Sequence, residues 1–423
     1  MGAPGRVPRA ARASGNTIPR VSSCSGSPPG PLRQGDPIES KLVTAQVAPS
    51  SGAARVRELD GLRAVAIWGV LANHLFVATP NLVTHTPTGF PHWFDVAVDH
   101  GWLGVDLFFI LSGFLITSIL LGTKGNGPAR YYGRFYERRA LRILPIYLLV
   151  LAILAIAYVP ITGPAYFVMC LAFVANLSPL TNVGVPNGGG PLWSLAVEEQ
   201  FYLLWPLLVL ALDRRKMWIV LAAIVVICPI LRSGHVDDRI HLTWFRCDGL
   251  ATGALLALWF TSPLHNRRND NRLALALVAL GIAIILPTIP FGGLHGGALS
   301  RATRISEALC FFSALVIFAV SHTGSSRSAV MRVPFALMTA DFSYCLYLIH
   351  VPLIDAYQAL VNHFFPLFDA AAGPLRVNLL RSAIVLVAAY VLAAISRRYI
   401  ELPFLRMGQH VRRPAPLVAP QTP

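Results

Sequence analysis

Residues 57–79 read RELDGLRAVAIWGVLANHLFVAT, an apolar run with charges at its start and one histidine, His74, deep inside it. A helix of that length rises far enough to cross the roughly 30 Å hydrocarbon core of a bilayer. The surrounding composition supports the same reading. Of 423 residues, 55% are hydrophobic and only 13% charged, with mean hydropathy +0.58. A soluble domain carries roughly 25% charged residues, so a chain this apolar belongs in lipid. Its runs show no polar/apolar alternation of the kind a membrane barrel needs, which makes the expected fold all-α.

Eleven apolar runs follow one another, at about 59–79, 101–122, 141–160, 164–180, 193–212, 216–232, 242–262, 272–291, 304–322, 335–360 and 378–397. Basic loops mark the cytoplasmic side of a membrane protein, and they test this count. Arg55, Arg57 and Arg63 stand at the first run. Lys124, Arg130, Arg134, Arg138, Arg139 and Arg142 follow the second. Further basic stretches lie at 213–216, 265–272, 327–332 and 397–413. All fit on one side only if an even number of spans separates Arg142 from Arg214. Three runs lie there, so one does not cross. The short 164–180 run, which contains Asn176 and leads into the Gly-rich 181–190 loop, is the re-entrant or interfacial segment. The expectation is a polytopic integral membrane protein of about ten transmembrane helices plus that segment, both termini cytoplasmic.

Three parts are expected. Residues 1–54, rich in Pro, Gly, Ser, Ala and Arg, form a disordered cytoplasmic tail without the apolar core of a signal peptide. Residues 55–405 form the membrane domain, and 406–423 a second cytoplasmic tail. The net charge of +15 is read as topological rather than as a nucleic-acid surface. Six scattered cysteines show no CxxC spacing, so no metal site or disulfide framework is expected.

Ionisable residues inside spans are costly and mark function or pairing. Placed by depth, His74, Asp106, Glu198, Glu199, Asp248 and His350 all fall in the outer half of the membrane. Each has an ordinary explanation too. Asp106 can tie helices together, Asp248 can pair with nearby Arg246, and His350 can bond to a neighbour. His74 is the strongest candidate for chemistry, since imidazole titrates near neutrality. Arg63 lies eleven residues before it, which on a helix is the same face and roughly 16 Å away.

The pair Arg63 and His74 within LDGLRAVAIWGVLANH resembles the hallmark of the membrane-bound acyltransferase family 3. GVDLFFILSGFLIT (104–117), RFYERRALRILPIY (134–147), PLWSLAVEEQFYLLWP (191–206), RCDGLATG (246–253) and FSYCLYLIHVP (342–352) complete the set in the expected order. The resemblance covers about 57–405 and points to the form without a C-terminal SGNH-type domain. It implies transfer of an acyl group, usually acetyl, from acyl-CoA to a hydroxyl, with acetyl-CoA as co-substrate and no tightly bound cofactor. His74, with Glu198 or Glu199, would act on the hydroxyl or carry the acyl group. Arg63, Arg138, Arg139 and Arg142 would hold the polyanionic donor from the cytosol. Asp106, Arg246, Asp248 and His350 would form the supporting polar network. Implied partners are acyl-CoA, membrane lipid, and a carbohydrate, lipid-linked glycan or macrolide-like acceptor, in a bacterial inner membrane. The loops at 80–100 and 181–190 would shape the acceptor choice. The rival reading is a transporter or lipid flippase, against which stands the lack of internal repeats.

Overall fold

The computed structural model describes residues 2, 56–77, 92–125, 127–186, 188–233, 240–291, 297–365 and 374–410. The expected tail over 1–54, apart from Gly2, lies outside the described residues. So do residues 411–423 of the expected C-terminal tail.

Every regular element among the described residues is helical. In chain order they are α1 (Arg57–Phe76), α2 (His92–Asp99), α3 (Gly104–Thr123), α4 (Pro128–Thr162) and α5 (Ala165–Leu171). There follow α6 (Leu192–Ala211), α7 (Arg214–Ser233), α8 (Thr243–Phe260), α9 (Arg267–Ile285) and α10 (Gly297–Ser321). α11 (Pro334–Phe364), α12 (Pro374–Ser396) and α13 (Leu402–His410) complete the set. Among the described residues, eight segments, at 93–123, 128–162, 192–211, 214–233, 267–288, 303–321, 334–364 and 376–408, are long and apolar enough to cross a membrane. α1 and α8, of 20 and 18 residues, have spanning length but carry polar groups. Those groups face protein rather than lipid: Glu58, Arg246 and Asp248 are all buried. Eight and these two make the ten expected spans.

The 164–180 run does not cross. α5 has only seven residues, roughly 10 Å of helix. Phe173 then turns the chain with φ 54°, and a 3-10 turn covers Ala175–Leu180. Irregular backbone at membrane depth must satisfy its polar groups inside the protein. Here Asn176, fully buried, donates to Thr243 Oγ1 (2.8 Å) and accepts from Gln200 Nε2 (2.9 Å). Gln200 also donates to the Phe173 carbonyl at 2.9 Å.

α1 lies inside the bundle, packed against α3, α10, α11 and α12. Lipid tails are as apolar as leucine, so burial of apolar surface does not hold such helices together. Close packing and polar contacts do. α3 and α8 use both. A Cβ on Gly113 would lie 2.0 Å from the Leu250 carbonyl oxygen, and one on Gly253 2.0 Å from that of Ile110. Only glycine permits this approach. Within the seam, Arg246 pairs with Asp106 at 3.1 Å.

Candidate active site

Arg63 of α1, Arg139 and Arg142 of α4, Ser112 of α3, Glu198 and Tyr202 of α6, and Tyr344 and Tyr347 of α11 line one partly open cavity. The rest of its wall is largely apolar, with Phe108, Leu111, Leu115, Ile143 and Leu195. Helix periodicity explains the gathering. Ser112 and Phe108 are four residues apart on α3, as are Glu198 and Tyr202 on α6, so each pair shares a face. Three guanidinium groups therefore face one carboxylate in an apolar enclosure.

Glu198 is held from two sides. Its Oε1 accepts from the Ser112 hydroxyl at 2.8 Å and its Oε2 from the Tyr202 hydroxyl at 3.0 Å. The Arg139 guanidinium lies 5.1 Å from the centre of the Tyr202 ring, within cation–π range. The two glutamates thus separate. Glu198 lines the cavity; Glu199 does not, and its Oε1 is buried with no hydrogen-bond partner among the described residues. Arg138 likewise does not line the cavity, unlike the other three arginines expected to bind the donor. Its neighbour Arg139 takes that position because adjacent helical residues point about 100° apart.

His74 does not line the cavity either. Gly104, next to the lining residue Val105, abuts the Ala66 carbonyl, eight residues short of His74 on α1. Ala66 and His74 are roughly 12 Å apart along the helix. His74 instead meets His350 of α11 edge to face, with ring centroids 4.9 Å apart. The His74 Nδ1 lies 3.0 Å from the Val70 carbonyl. A carbonyl only accepts, so Nδ1 carries the proton and Nε2 keeps its lone pair. His350 is arranged alike: Nδ1 donates to the Tyr347 carbonyl at 2.8 Å, and Nε2 is buried without a partner among the described residues. Tyr347 links the two regions. It lines the cavity, its ring lies 5.7 Å from that of His350, and its hydroxyl lies 2.5 Å from Ser194 Oγ.

The remaining polar residues form a separate cluster, and one expected pairing is corrected. Asp248 pairs with Arg232 of α7 at 2.7 Å, not with Arg246. Residues two apart on a helix point to nearly opposite sides. Arg246 therefore faces Asp106 on α3, while Asp248 faces α7. Arg246 also sits 5.1 Å from the Trp193 ring. Trp193 in turn packs on His241, at 4.5 Å, in the segment before α8. Burial, helped by the Arg246 charge, pushes the His241 imidazole down to about 4. Of the six ionisable groups expected at one depth, Glu198 thus lines the cavity, His74 and His350 form the histidine pair, Asp106 and Asp248 belong to this ion-pair cluster, and Glu199 joins none of the three.

Sequence reasoning missed Ser112, Tyr202 and Tyr347, whose hydroxyls add little signal to apolar runs. It also missed Arg381 of α12, which is fully buried. A lone arginine inside the 378–397 run is a visible signal in the sequence, because charges inside apolar spans are rare. Of the loops expected to shape acceptor choice, 80–91 lies outside the described residues. The 181–190 loop is anchored where Tyr166 donates to the Gly189 carbonyl at 2.7 Å.

The acyltransferase domain family Acyl_transf_3 matches residues 56–398. The chain is 27% identical over 384 residues to the peptidoglycan O-acetyltransferase OatA of Listeria monocytogenes, covering 84% of this chain and 56% of that protein. It is 27% identical over 376 residues to the O-acetyltransferase OatA of Staphylococcus aureus, covering 83% of this chain and 57% of that one. The chain spans about half the length of the curated relatives it matches. No solved structure matches it.

Proposed function

The chain belongs to the Acyl_transf_3 family of acyltransferase domains, and we propose that it is a membrane O-acyltransferase moving an acetyl-sized group from acyl-CoA to a carbohydrate hydroxyl. The names of the relatives, peptidoglycan O-acetyltransferase and O-acetyltransferase, favour a sugar of the cell envelope as acceptor.

The observation that carries this reading is the cavity in which Arg63, Arg139 and Arg142 converge inside an apolar bundle. Guanidinium is the cation suited to phosphate geometry, and charge-assisted bonds strengthen where water is scarce. The donor's phosphates would lie on these arginines and its pantetheine arm would run toward Tyr347. With the basic loops on the cytoplasmic side, this end of the bundle would open to the cytoplasm, as expected for a protein of a bacterial inner membrane.

His74 supplies the base. Its Nε2 takes the proton of the acceptor hydroxyl as that oxygen attacks the thioester carbonyl. The C–S bond breaks, the sulfur leaves as CoA thiolate, and the imidazolium returns a proton to it or to water. Glu198 stays a hydrogen-bonded anion facing the arginines and balances their charge when the donor is absent. Tyr347 must yield for the thioester to reach His74, so donor binding and opening are coupled.

The test uses purified protein in liposomes with acetyl-CoA labelled in the acetyl group. The expected result is release of free CoA thiol and appearance of label as a base-labile ester on an added envelope saccharide. Saccharide movement across the bilayer with no CoA release would instead establish a transporter.

A further inference from the structure

We propose that Arg381 and Asn73 are positioning residues that clamp the last turn of α1 and so aim His74; this rests on the reading of His74 as the base. α12 buries one polar face, Asn378, Arg381 and Ser382, at spacings of three and four residues. A fully buried guanidinium in a membrane helix is costly and is retained where its N–H groups have work to do. Arg381 donates from Nη2 to the Leu75 carbonyl and, at 2.9 Å, to Asn378 Oδ1.

Leu75 is the residue after His74, in a helix that ends at Phe76. The last four carbonyls of a helix have no helical donor, and a cation there is favoured by the helix dipole. The Val77 N–H caps the Asn73 carbonyl, and Arg381 supplies a donor for the Leu75 carbonyl two residues on. From another side, the Asn73 side chain donates to the carbonyls of Val98 (3.0 Å) and Asp99 (3.1 Å), where α2 ends. Asn73 and Leu75 flank His74 and point to different neighbours. Between them His74 bonds back to Val70 and lies edge-on to His350.

This arrangement fixes direction. A shift of the last turn by one residue would rotate the imidazole by about 100° and take Nε2 off its line. With Asn73 tied to the α2 end and Leu75 tied to α12, such a shift must break both ties. Arg381 itself need not touch substrate; it acts through the backbone that carries His74.

The experiment compares Arg381→Gln and Asn73→Ala with the parent protein in liposomes. Amide hydrogen exchange is read for peptides covering 70–77, and kcat and KM for acetyl-CoA are measured with and without His74→Ala. The expected result is exchange at residues 75–77 at least about tenfold faster with α3 unchanged. The expected kinetics are a fall in kcat of at least about tenfold, donor KM within about threefold, and no further loss when His74→Ala is added. Unchanged exchange overturns the clamp. So does a raised KM at constant kcat, or a loss that multiplies with His74→Ala. If Arg381→Gln fails to insert, Asn73→Ala decides alone on the same criteria. Retained turnover in His74→Ala would defeat the base assignment, and the exchange measurement would still decide the clamp.

Discussion

His74 and His350, 276 residues apart in sequence, meet edge to face with their ring centres 4.9 Å apart. Both turn Nδ1 to a helix carbonyl of their own α1 or α11. Both therefore present Nε2 as the nitrogen with a lone pair. His350 supports the wall against which the His74 ring rests.

If His74 is the base, removing that wall should hurt less than removing His74. His350→Ala is expected to lower kcat about tenfold, against the hundredfold or more that loss of a general base costs. His350→Phe, which keeps an aromatic edge, should recover part of the difference. Steady-state kinetics on acetyl-CoA checks both.

The two adjacent glutamates should separate cleanly. Glu198→Gln forces an amide group onto the Ser112 or Tyr202 hydroxyl and removes the anion facing three arginines. Turnover should fall by about tenfold, the scale of losing a hydrogen bond to a charged group. Glu199→Gln, outside the cavity, should stay within about threefold. Equal effects would show that the cavity does not hold the functional carboxylate.

Among the arginines, Arg139→Ala and Arg142→Ala should each raise the donor KM by about tenfold or more, because charge-assisted hydrogen bonds contribute about 1.5–3 kcal/mol. Arg138→Ala, outside the cavity lining, should leave it near the parent value. Titration of immobilised protein with acetyl-CoA reads the same difference without turnover.

The ion-pair assignment is open to a swap test. Breaking one buried pair costs about 3–5 kcal/mol, whereas removing both partners costs far less. Arg246→Met should lower the melting temperature in detergent, and adding Asp106→Leu should restore much of it. Adding Asp248→Leu instead should lower it further, since Arg232 then loses its partner.

Much of this architecture was legible because lipid imposes strong rules. Run length, charge parity and one short polar-tipped run were enough to place ten spans and to exclude 164–180 from them. Arg63, Arg139 and Arg142 were legible as one basic end, but Glu198 was expected at the depth of His74 and instead lines the arginine cavity, because a count of depth along α6 does not say which neighbours a side chain meets. The partner of Asp248 was not, because sequence proximity to Arg246 says nothing about which side of a helix each occupies. Nor was the gap between the cavity and His74. Counting residues along α1 gives the distance from Arg63 but not which side chains from other helices, such as Tyr347 of α11, line the cavity and reach the histidine pair. Arg381 was visible as a lone arginine inside an apolar run, but its role was not, since it lies in a carbonyl of another helix.

The central claim is that His74 does the chemistry of acyl transfer from a donor held in the arginine-lined cavity. The most direct measurement is single-turnover transfer of labelled acetyl from acetyl-CoA to saccharide by the parent protein and by His74→Ala, at equal amounts of correctly inserted protein. The account predicts that His74→Ala binds acetyl-CoA with unchanged affinity and transfers at least a hundredfold more slowly, the lower range for loss of a general base. Transfer at the parent rate by His74→Ala would contradict it.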